Sequence, residues 1–164
     1  MYRKLIVSLA EYPQYFDDVM GWCYREFWQG PKTDDFELNE FLKGHLDKNK
    51  IPCSLVALCD GRPVGSVHLV EKGYDTNPFS PCLTGLYVLP GFRNLGFGTM
   101  LIENALERAR ASGFPSVYLA ADENINYYTS RGWTVIAPSD SPDHYILAKR
   151  KRIPFFPIGA NTLH

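Results

Sequence analysis

The chain has 164 residues, a length typical of one domain. Hydrophobic residues account for 45% and charged residues for 21%, a composition typical of a globular protein and unlike that of a disordered or fibrous one. The 17 basic and 18 acidic side chains leave a net charge of −1, so we expect no nucleic-acid partner. The longest aliphatic run, residues 55–59, is too short to span a bilayer, and we expect no membrane partner either.

The cysteines and the N-terminal stretch indicate the compartment. The four cysteines form no C-x-x-C pair and have no histidine at ligand spacing, which argues against a metal site and against a dithiol redox site. The basic and apolar N-terminal stretch is interpreted as a first strand, because its apolar part is too short for a secretion signal. Reduced, buried thiols are typical of the cytoplasm, so we expect a cytoplasmic protein without a metal.

Hydrophobic periodicity and turn residues predict the secondary structure. The predicted strands span residues 3–9, 55–59, 64–70, 82–89, 116–121, 133–137 and 145–149. The predicted helices run over residues 13–27, 34–46, 98–111 and 124–130. Asp60 and Gly61 form a hairpin turn between the second and third strands, and residues 71–81 form a loop.

Strands and helices in this order indicate an α/β fold with one mixed sheet of six or seven strands, flanked by about four helices. No repeat or linker divides the sequence. We therefore expect a single domain over residues 1–152. An apolar C-terminal tail follows over residues 153–164, where the prolines are incompatible with a central strand.

Residues 86–101 carry the clearest chemical signal: an apolar strand, a glycine-containing turn and the most regular predicted helix. Gly96 and Gly98 leave the start of this helix without side chains, so that an anion can approach its free amide groups. The helix dipole adds positive potential there, and Arg93 adds a full charge. The turn is therefore suited to a phosphate or a diphosphate.

Two common phosphate-binding loops do not fit this turn. A Walker loop requires Gly-Lys-Ser or Gly-Lys-Thr at the helix entrance, and neither is present. A dinucleotide-binding turn requires a third glycine at the position of Leu101. A glycine-rich turn without a ligand, or one that binds another phosphate compound, stays open at this point.

The remaining pattern, Arg-x-x-Gly-x-Gly at Arg93, Gly96 and Gly98, resembles that of the GNAT superfamily of acyl-CoA-dependent N-acetyltransferases. Residues 127–133, with the sequence Tyr-Tyr-Thr-Ser-Arg-Gly-Trp, are similar to the second signature of this family, an aromatic pair followed by a glycine and another aromatic residue. The predicted hairpin over residues 55–70 also resembles the hairpin of this family. The resemblance covers nearly the whole predicted domain.

The resemblance implies that the protein binds acetyl-CoA and transfers the acetyl group directly to an amine. The backbone of Tyr87 and Val88 would pair with the pantetheine arm, and one of these amides would polarise the thioester carbonyl. Asn124 would hydrogen-bond the arm, and Tyr128 would be the catalytic acid that protonates the leaving thiolate. The diphosphate would lie on the amides of Arg93, Asn94, Leu95, Gly96, Phe97, Gly98 and Thr99.

Two features of these signatures bear on the local geometry. Asn94 stands where many members of the family have a glycine or a basic residue. Tyr127 and Tyr128 are adjacent on one predicted helix, so we expect at most one of them to face inward.

The sequence identifies the acceptor and the residues that bind it less clearly than the cofactor site. The resemblance leaves a small amine or a peptide amine as the acceptor, and a monomer or a homodimer as the oligomeric state. A catalytically silent sensor or interaction module that binds acyl-CoA is the alternative on the same fold. The candidates for binding the acceptor or accepting its proton are Trp22, Glu26, His68 and Glu71, and Trp28 is a further candidate lining residue. Core roles remain open for both tryptophans and for His68.

Overall fold

The computed structural model describes residues 2–27, 40, 42–44, 51–71, 76 and 78–150. The described residues form seven strands: β1 (Lys4–Ser8), β2 (Cys53–Cys59), β3 (Arg62–Val70), β4 (Cys82–Val88), β5 (Ser116–Ala121), β6 (Thr134–Pro138) and β7 (Tyr145–Arg150). They also form three α-helices: α1 (Phe16–Glu26), α2 (Phe97–Ala111) and α3 (Ile125–Thr129). Single 3₁₀ turns occur at Pro13–Tyr15 and Pro90–Phe92.

The seven strands belong to one mixed sheet in the order β1-β2-β3-β4-β5-β7-β6. Neighbouring strands are antiparallel except for β4 and β5, which run parallel. The predicted α/β fold with a mixed sheet is confirmed, and the observed element boundaries differ from the predicted ones by a few residues. Most of the second predicted helix and the whole predicted tail over residues 153–164 lie outside the described residues. No helix in the described part of the chain has the length and hydrophobicity needed to cross a bilayer.

The hairpin between β2 and β3 has the turn that its sequence predicts. Asp60 and Gly61 both adopt left-handed backbone conformations, with φ of +50° and +83°. Two left-handed residues in succession are typical of a type I′ turn, whose twist matches that of the flanking strands. The hairpin places β3 beside β4, the strand that precedes the glycine-containing turn.

Helices cover both faces of the sheet. α2 packs on one face through a buried stripe that includes Leu101, Ala105 and Ala109, at the spacing of a helical repeat. α1 packs on the other face through its buried residues, which include Val19 and Trp22. β2 alternates between the two clusters, as expected for a strand that is buried on both faces. This packing fixes the start of α2 next to the end of β4.

Candidate active site

The sheet opens between β4 and β5. Among the described residues these two strands are paired only at Cys82, near the start of β4. β4 also contains a bulge: its pairing with β3 shifts between Ser66 and His68, so that one β3 residue lies opposite both Gly85 and Leu86. Gly85 has φ of +66°, a conformation that favours glycine. The second half of β4 therefore lines a gap in the sheet, and two cavities occupy this gap.

The first cavity has a volume of about 680 Å³ and lies between the second half of β4 and the start of α2. All the predicted cofactor-binding residues except Leu95 line it, and so does the predicted acid Tyr128. Two arginines and no carboxylate occur among its described lining residues, so the cavity attracts anions. Its lining residues outside the sequence prediction are Leu86, Phe92, Tyr127 and Arg131.

The backbone before α2 presents unpaired amide groups to the first cavity. Asn94 and Gly96 have φ of +63° and +93°. Asparagine tolerates this left-handed conformation better than most residues, which explains why it can replace glycine here. No described residue accepts a backbone hydrogen bond from the amides of residues 94–99. A Cβ atom on Gly98 would lie 3.2 Å from the Tyr127 hydroxyl and narrow this space. The free donors and the missing side chain fit the diphosphate of coenzyme A.

Lys4, on β1, supports the same loop from the side. Its Nζ donates a hydrogen bond to the carbonyl of Leu95 and lies 5.3 Å from the centroid of the Phe97 ring. Both contacts hold the residues that carry the free amides. Lys4 could not be predicted from local sequence patterns, because β1 and this loop lie far apart along the chain.

Two arginines line the first cavity, one in the loop before α2 and one after α3. Arg93 donates a hydrogen bond from Nε to the Val88 carbonyl at 2.8 Å, which ties the loop to the end of β4. The Arg131 guanidinium lies 3.7 Å from the centroid of the Tyr127 ring and donates to the Tyr127 carbonyl at 2.8 Å. Because Arg131 stacks on Tyr127, it contributes its charge to the side of the cavity formed by α3.

The expectation that Tyr127 and Tyr128 do not both face inward is wrong, because both line the first cavity. Adjacent side chains on a helix are about 100° apart and do not point in opposite directions. α3 has five residues, so a cavity can extend around its side and contact both rings. The two rings meet edge to face with their centroids 5.1 Å apart.

Tyr128 lies in a largely apolar environment. Its ring also packs edge to face on Trp133, at 5.9 Å. Burial, and secondarily the charge of Tyr127, raises the pKa of Tyr128 to about 12. The hydroxyl is therefore protonated at neutral pH, as a proton donor must be.

The second cavity has a volume of about 600 Å³ and shares Leu86, Asn124 and Tyr128 with the first. Glu26 and Asp122 contribute two carboxylates to its lining, and its described lining residues include no lysine or arginine. His144 also lines this cavity, although its position just before the last predicted strand is equally compatible with the surface. The cavity therefore attracts cations.

His68 does not line the second cavity but lies beneath it. It is 1% exposed, with Nδ1 2.6 Å from the Ser54 hydroxyl and Nε2 3.3 Å from the Cys23 sulfur. Burial raises the pKa of Cys23 to about 12, so this thiol stays protonated. A Cβ on Gly85 would lie 2.7 Å from Cδ2 of His68, which places the ring directly under the bulge in β4. His68 is a core residue in this structure, and its burial separates it from the second cavity.

The remaining acceptor candidates occupy different positions. Glu26 lines the second cavity. Trp22 is 5% exposed and packs on the Tyr87 ring at 5.9 Å, so it supports β4 from the core and does not line either cavity. Glu71 is exposed after β3 and also lines neither cavity. Trp28 lies outside the described residues.

Several solved structures with the same architecture are acetyltransferases. An aminoglycoside 6'-N-acetyltransferase complexed with coenzyme A superposes with a TM-score of 0.70 at 14% identity, over 92% of this chain and 99% of that chain. A GNAT acetyltransferase from Streptococcus pneumoniae gives 0.65 at 17% identity, over 90% and 99%. An N-acetylglutamate synthase from Neisseria gonorrhoeae, complexed with coenzyme A and N-acetyl-glutamate, gives 0.65 at 14% identity, over 92% of this chain and 36% of that chain. At these identities the likeness shows the fold.

The sequence itself matches a family model. No curated protein sequence matches the chain significantly. The model of the acetyltransferase (GNAT) family matches residues 14–133, from the 3₁₀ turn before α1 to the residue before β6. This segment contains the glycine-containing turn, α2 and both tyrosines of α3. The chain belongs to the GNAT family of acetyltransferases, as its Arg-x-x-Gly-x-Gly turn predicts.

Proposed function

We propose that this protein transfers the acetyl group of acetyl-CoA directly to a primary amine, either a small cationic amine or a peptide amine. The observation that carries the proposal is a pair of cavities with opposite charges that share one wall. Arg93 and Arg131 line the first cavity, whereas Glu26 and Asp122 line the second. A phosphate-bearing cofactor is complementary to the first cavity, and an ammonium group is complementary to the second.

The shared wall supports direct transfer between the two bound molecules. Tyr128 and Asn124 contact both cavities, so the transferred group has to move only across this wall. No cysteine occurs among the described residues that line either cavity, which argues against a thioester formed on the protein. The scaffold then contributes mainly by positioning the amine and the acetyl group next to each other.

The residues of the first cavity would have three roles. The free amides of residues 94–99 hold the diphosphate, and Asn124 hydrogen-bonds the pantetheine arm. A backbone amide of Tyr87 or Val88 polarises the thioester carbonyl. When bound, acetyl-CoA supplies an acetyl group that is already activated as a thioester.

Tyr128 assists the departure of sulfur, and its pKa limits how much it contributes. Its pKa of about 12 lies well above that of an ordinary thiol, which is about 8.5. Complete proton transfer from the phenol to a free thiolate is therefore uphill by roughly 5 kcal/mol. Tyr128 thus acts first as a hydrogen-bond donor to the sulfur while negative charge develops there.

The test measures coenzyme A release from acetyl-CoA with a panel of amines: an aminoglycoside, spermidine and a tripeptide with a free N-terminus. Release above the amine-free background, together with an acetylated product in the mass spectrum, supports the proposal. Binding of acetyl-CoA is measured beforehand as a rise in the melting temperature. At a concentration of about 100 Kd the ligand contributes about 2.7 kcal/mol of stability.

A matched pair of variants locates the cofactor. Gly98→Val places a branched side chain beside the Tyr127 hydroxyl and should abolish the thermal shift with acetyl-CoA. Gly91→Val is the control, because a Cβ there has no atom within 4 Å. Acetyl-CoA binding without turnover of any amine would favour the silent sensor. No binding at all would favour another phosphate ligand and overturn the proposal.

A further inference from the structure

An incoming ammonium group must lose a proton before its nitrogen can attack, and the second cavity contains a pair suited to accept it. His144 lies immediately before β7, and Asp122 immediately follows β5. Their side chains meet in the cavity, with Nε2 of His144 3.6 Å from Oδ2 of Asp122. β5 and β7 are neighbouring antiparallel strands, so the end of one and the start of the other are adjacent.

The hydrogen bond made by Nδ1 of His144 determines the tautomer of the ring. Nδ1 lies 2.8 Å from the carbonyl oxygen of Pro142. A carbonyl oxygen can only accept a hydrogen bond, so Nδ1 carries the proton. In the neutral ring the proton-accepting nitrogen is therefore Nε2, on the side of the Asp122 carboxylate. The main chain of His144 is held as well, because its carbonyl accepts from the Ser139 amide at 3.0 Å and its amide donates to the Ser141 carbonyl at 3.3 Å.

Asp122 is placed to assist the histidine electrostatically. A carboxylate close to Nε2 stabilises the positive charge that the imidazole acquires with a proton. The same carboxylate attracts the cationic acceptor into the cavity. The bond from Nδ1 to a main-chain carbonyl fixes the tautomer and the orientation of the ring, and the carboxylate beside Nε2 stabilises its charged form.

We infer that His144 accepts the proton of the acceptor amine at Nε2 and that Asp122 stabilises the resulting imidazolium. This inference rests on the proposed function. After the proton moves to Nε2, the freed lone pair of nitrogen attacks the thioester carbonyl carbon. A C–N bond forms, and the C–S bond breaks with its electron pair on sulfur. Tyr128 donates a proton to the sulfur and regains one from the acylated nitrogen, and His144 releases its proton to solvent.

Glu26 is the competing proton acceptor, because it lines the same cavity. To stabilise a transferred proton, Glu26 would need a charged partner comparable to the one that His144 has in Asp122. No ion pair joins Glu26 to Asp122 or to His144 in the described part of the chain. We therefore assign it to attraction of the cation rather than to proton transfer.

The test compares wild type with His144→Gln on three amines of similar size: ethylamine, fluoroethylamine and difluoroethylamine. Each added fluorine lowers the pKa of the ammonium group, so a larger fraction of the amine is already neutral at a fixed pH. The reaction of the fluorinated amines therefore depends less on a base. We expect His144→Gln to lower kcat/KM about 100-fold for ethylamine but only about threefold for difluoroethylamine. KM for acetyl-CoA should not change, because His144 does not line the first cavity.

Asp122→Asn should give a smaller deficit with the same dependence on the amine. Asp140→Asn is its matched control, because Asp140 is an exposed carboxylate of the loop before His144 and lines neither cavity. Melting curves confirm that each variant is folded. An equal loss for all three amines, or no loss in His144→Gln, would overturn the assignment of the base while the proposed function stands. Wild type that acetylates neither these amines nor the panel above would overturn the proposed function and the inference with it.

Discussion

Gly65→Ala tests the close contact between β3 and the part of β4 that lines the first cavity. A Cβ on Gly65 would lie 2.6 Å from the Tyr87 carbonyl oxygen and 3.3 Å from Cα of Val88. The first distance is shorter than real Cβ contacts, and the neighbouring atoms belong to the backbone, so β3 and β4 must separate by several tenths of an ångström. Overpacking of this kind costs about 2 kcal/mol of unfolding free energy.

The assay for Gly65→Ala combines a melting curve with acetyl-CoA titration. A loss of about 2 kcal/mol corresponds to a fall of about 6 °C in a domain of this size. Because Tyr87 and Val88 line the first cavity, we also expect about tenfold weaker acetyl-CoA binding, which equals about 1.4 kcal/mol. Gly91→Ala is the control and should stay within about 0.5 kcal/mol, since no atom lies within 4 Å of its Cβ. Equal stability and affinity in the two variants would refute the reasoning.

Three further predictions concern other residues. Lys4→Met removes the hydrogen bond to the Leu95 carbonyl, so KM for acetyl-CoA should rise about fivefold at unchanged kcat; a fall in kcat alone would contradict the supporting role of Lys4. Tyr128→Phe should lower kcat about tenfold, measured by thiol release at saturating acetyl-CoA, because a phenol with a pKa of about 12 is a weak acid for a thiolate. If Tyr128→Phe released thiol as fast as wild type, Tyr128 would not be the acid. Since burial raises the pKa of Tyr128, its hydroxyl remains protonated up to pH 10 and should cause no alkaline fall in kcat below that pH. All four cysteines are buried, and burial raises the pKa of Cys23 to about 12, so a thiol reagent at pH 8 should label the protein only as fast as it unfolds; rapid labelling of one thiol would contradict this burial.

Local signals made the cofactor side of the molecule predictable. The helical repeat of α2 and the turn glycines before it act within a few residues, so the sequence alone indicates where the free amides lie. The Asp60–Gly61 turn is predictable for the same reason, because its left-handed conformations depend on these two residues. The predicted fold follows from these elements in their order.

Contacts between distant segments could not be predicted in the same way. Lys4 reaches Leu95 only because β1 and α2 lie together in the folded protein. His144 meets Asp122 because β5 and β7 are neighbours, an arrangement that the order of elements does not specify. His68 is a candidate from the sequence because its strand is expected to face the acceptor, but β3 is buried on both faces from Val64 to Val70, so His68 lies in the core.

A crystal structure with bound coenzyme A tests the central claim most directly. The account predicts that the diphosphate lies within about 3 Å of backbone nitrogens of residues 94–99 and that the sulfur lies beside Tyr128. It also predicts that the second cavity remains accessible on the other side of Tyr128. Coenzyme A bound elsewhere on the protein, with this surface of amides unoccupied, would contradict the account.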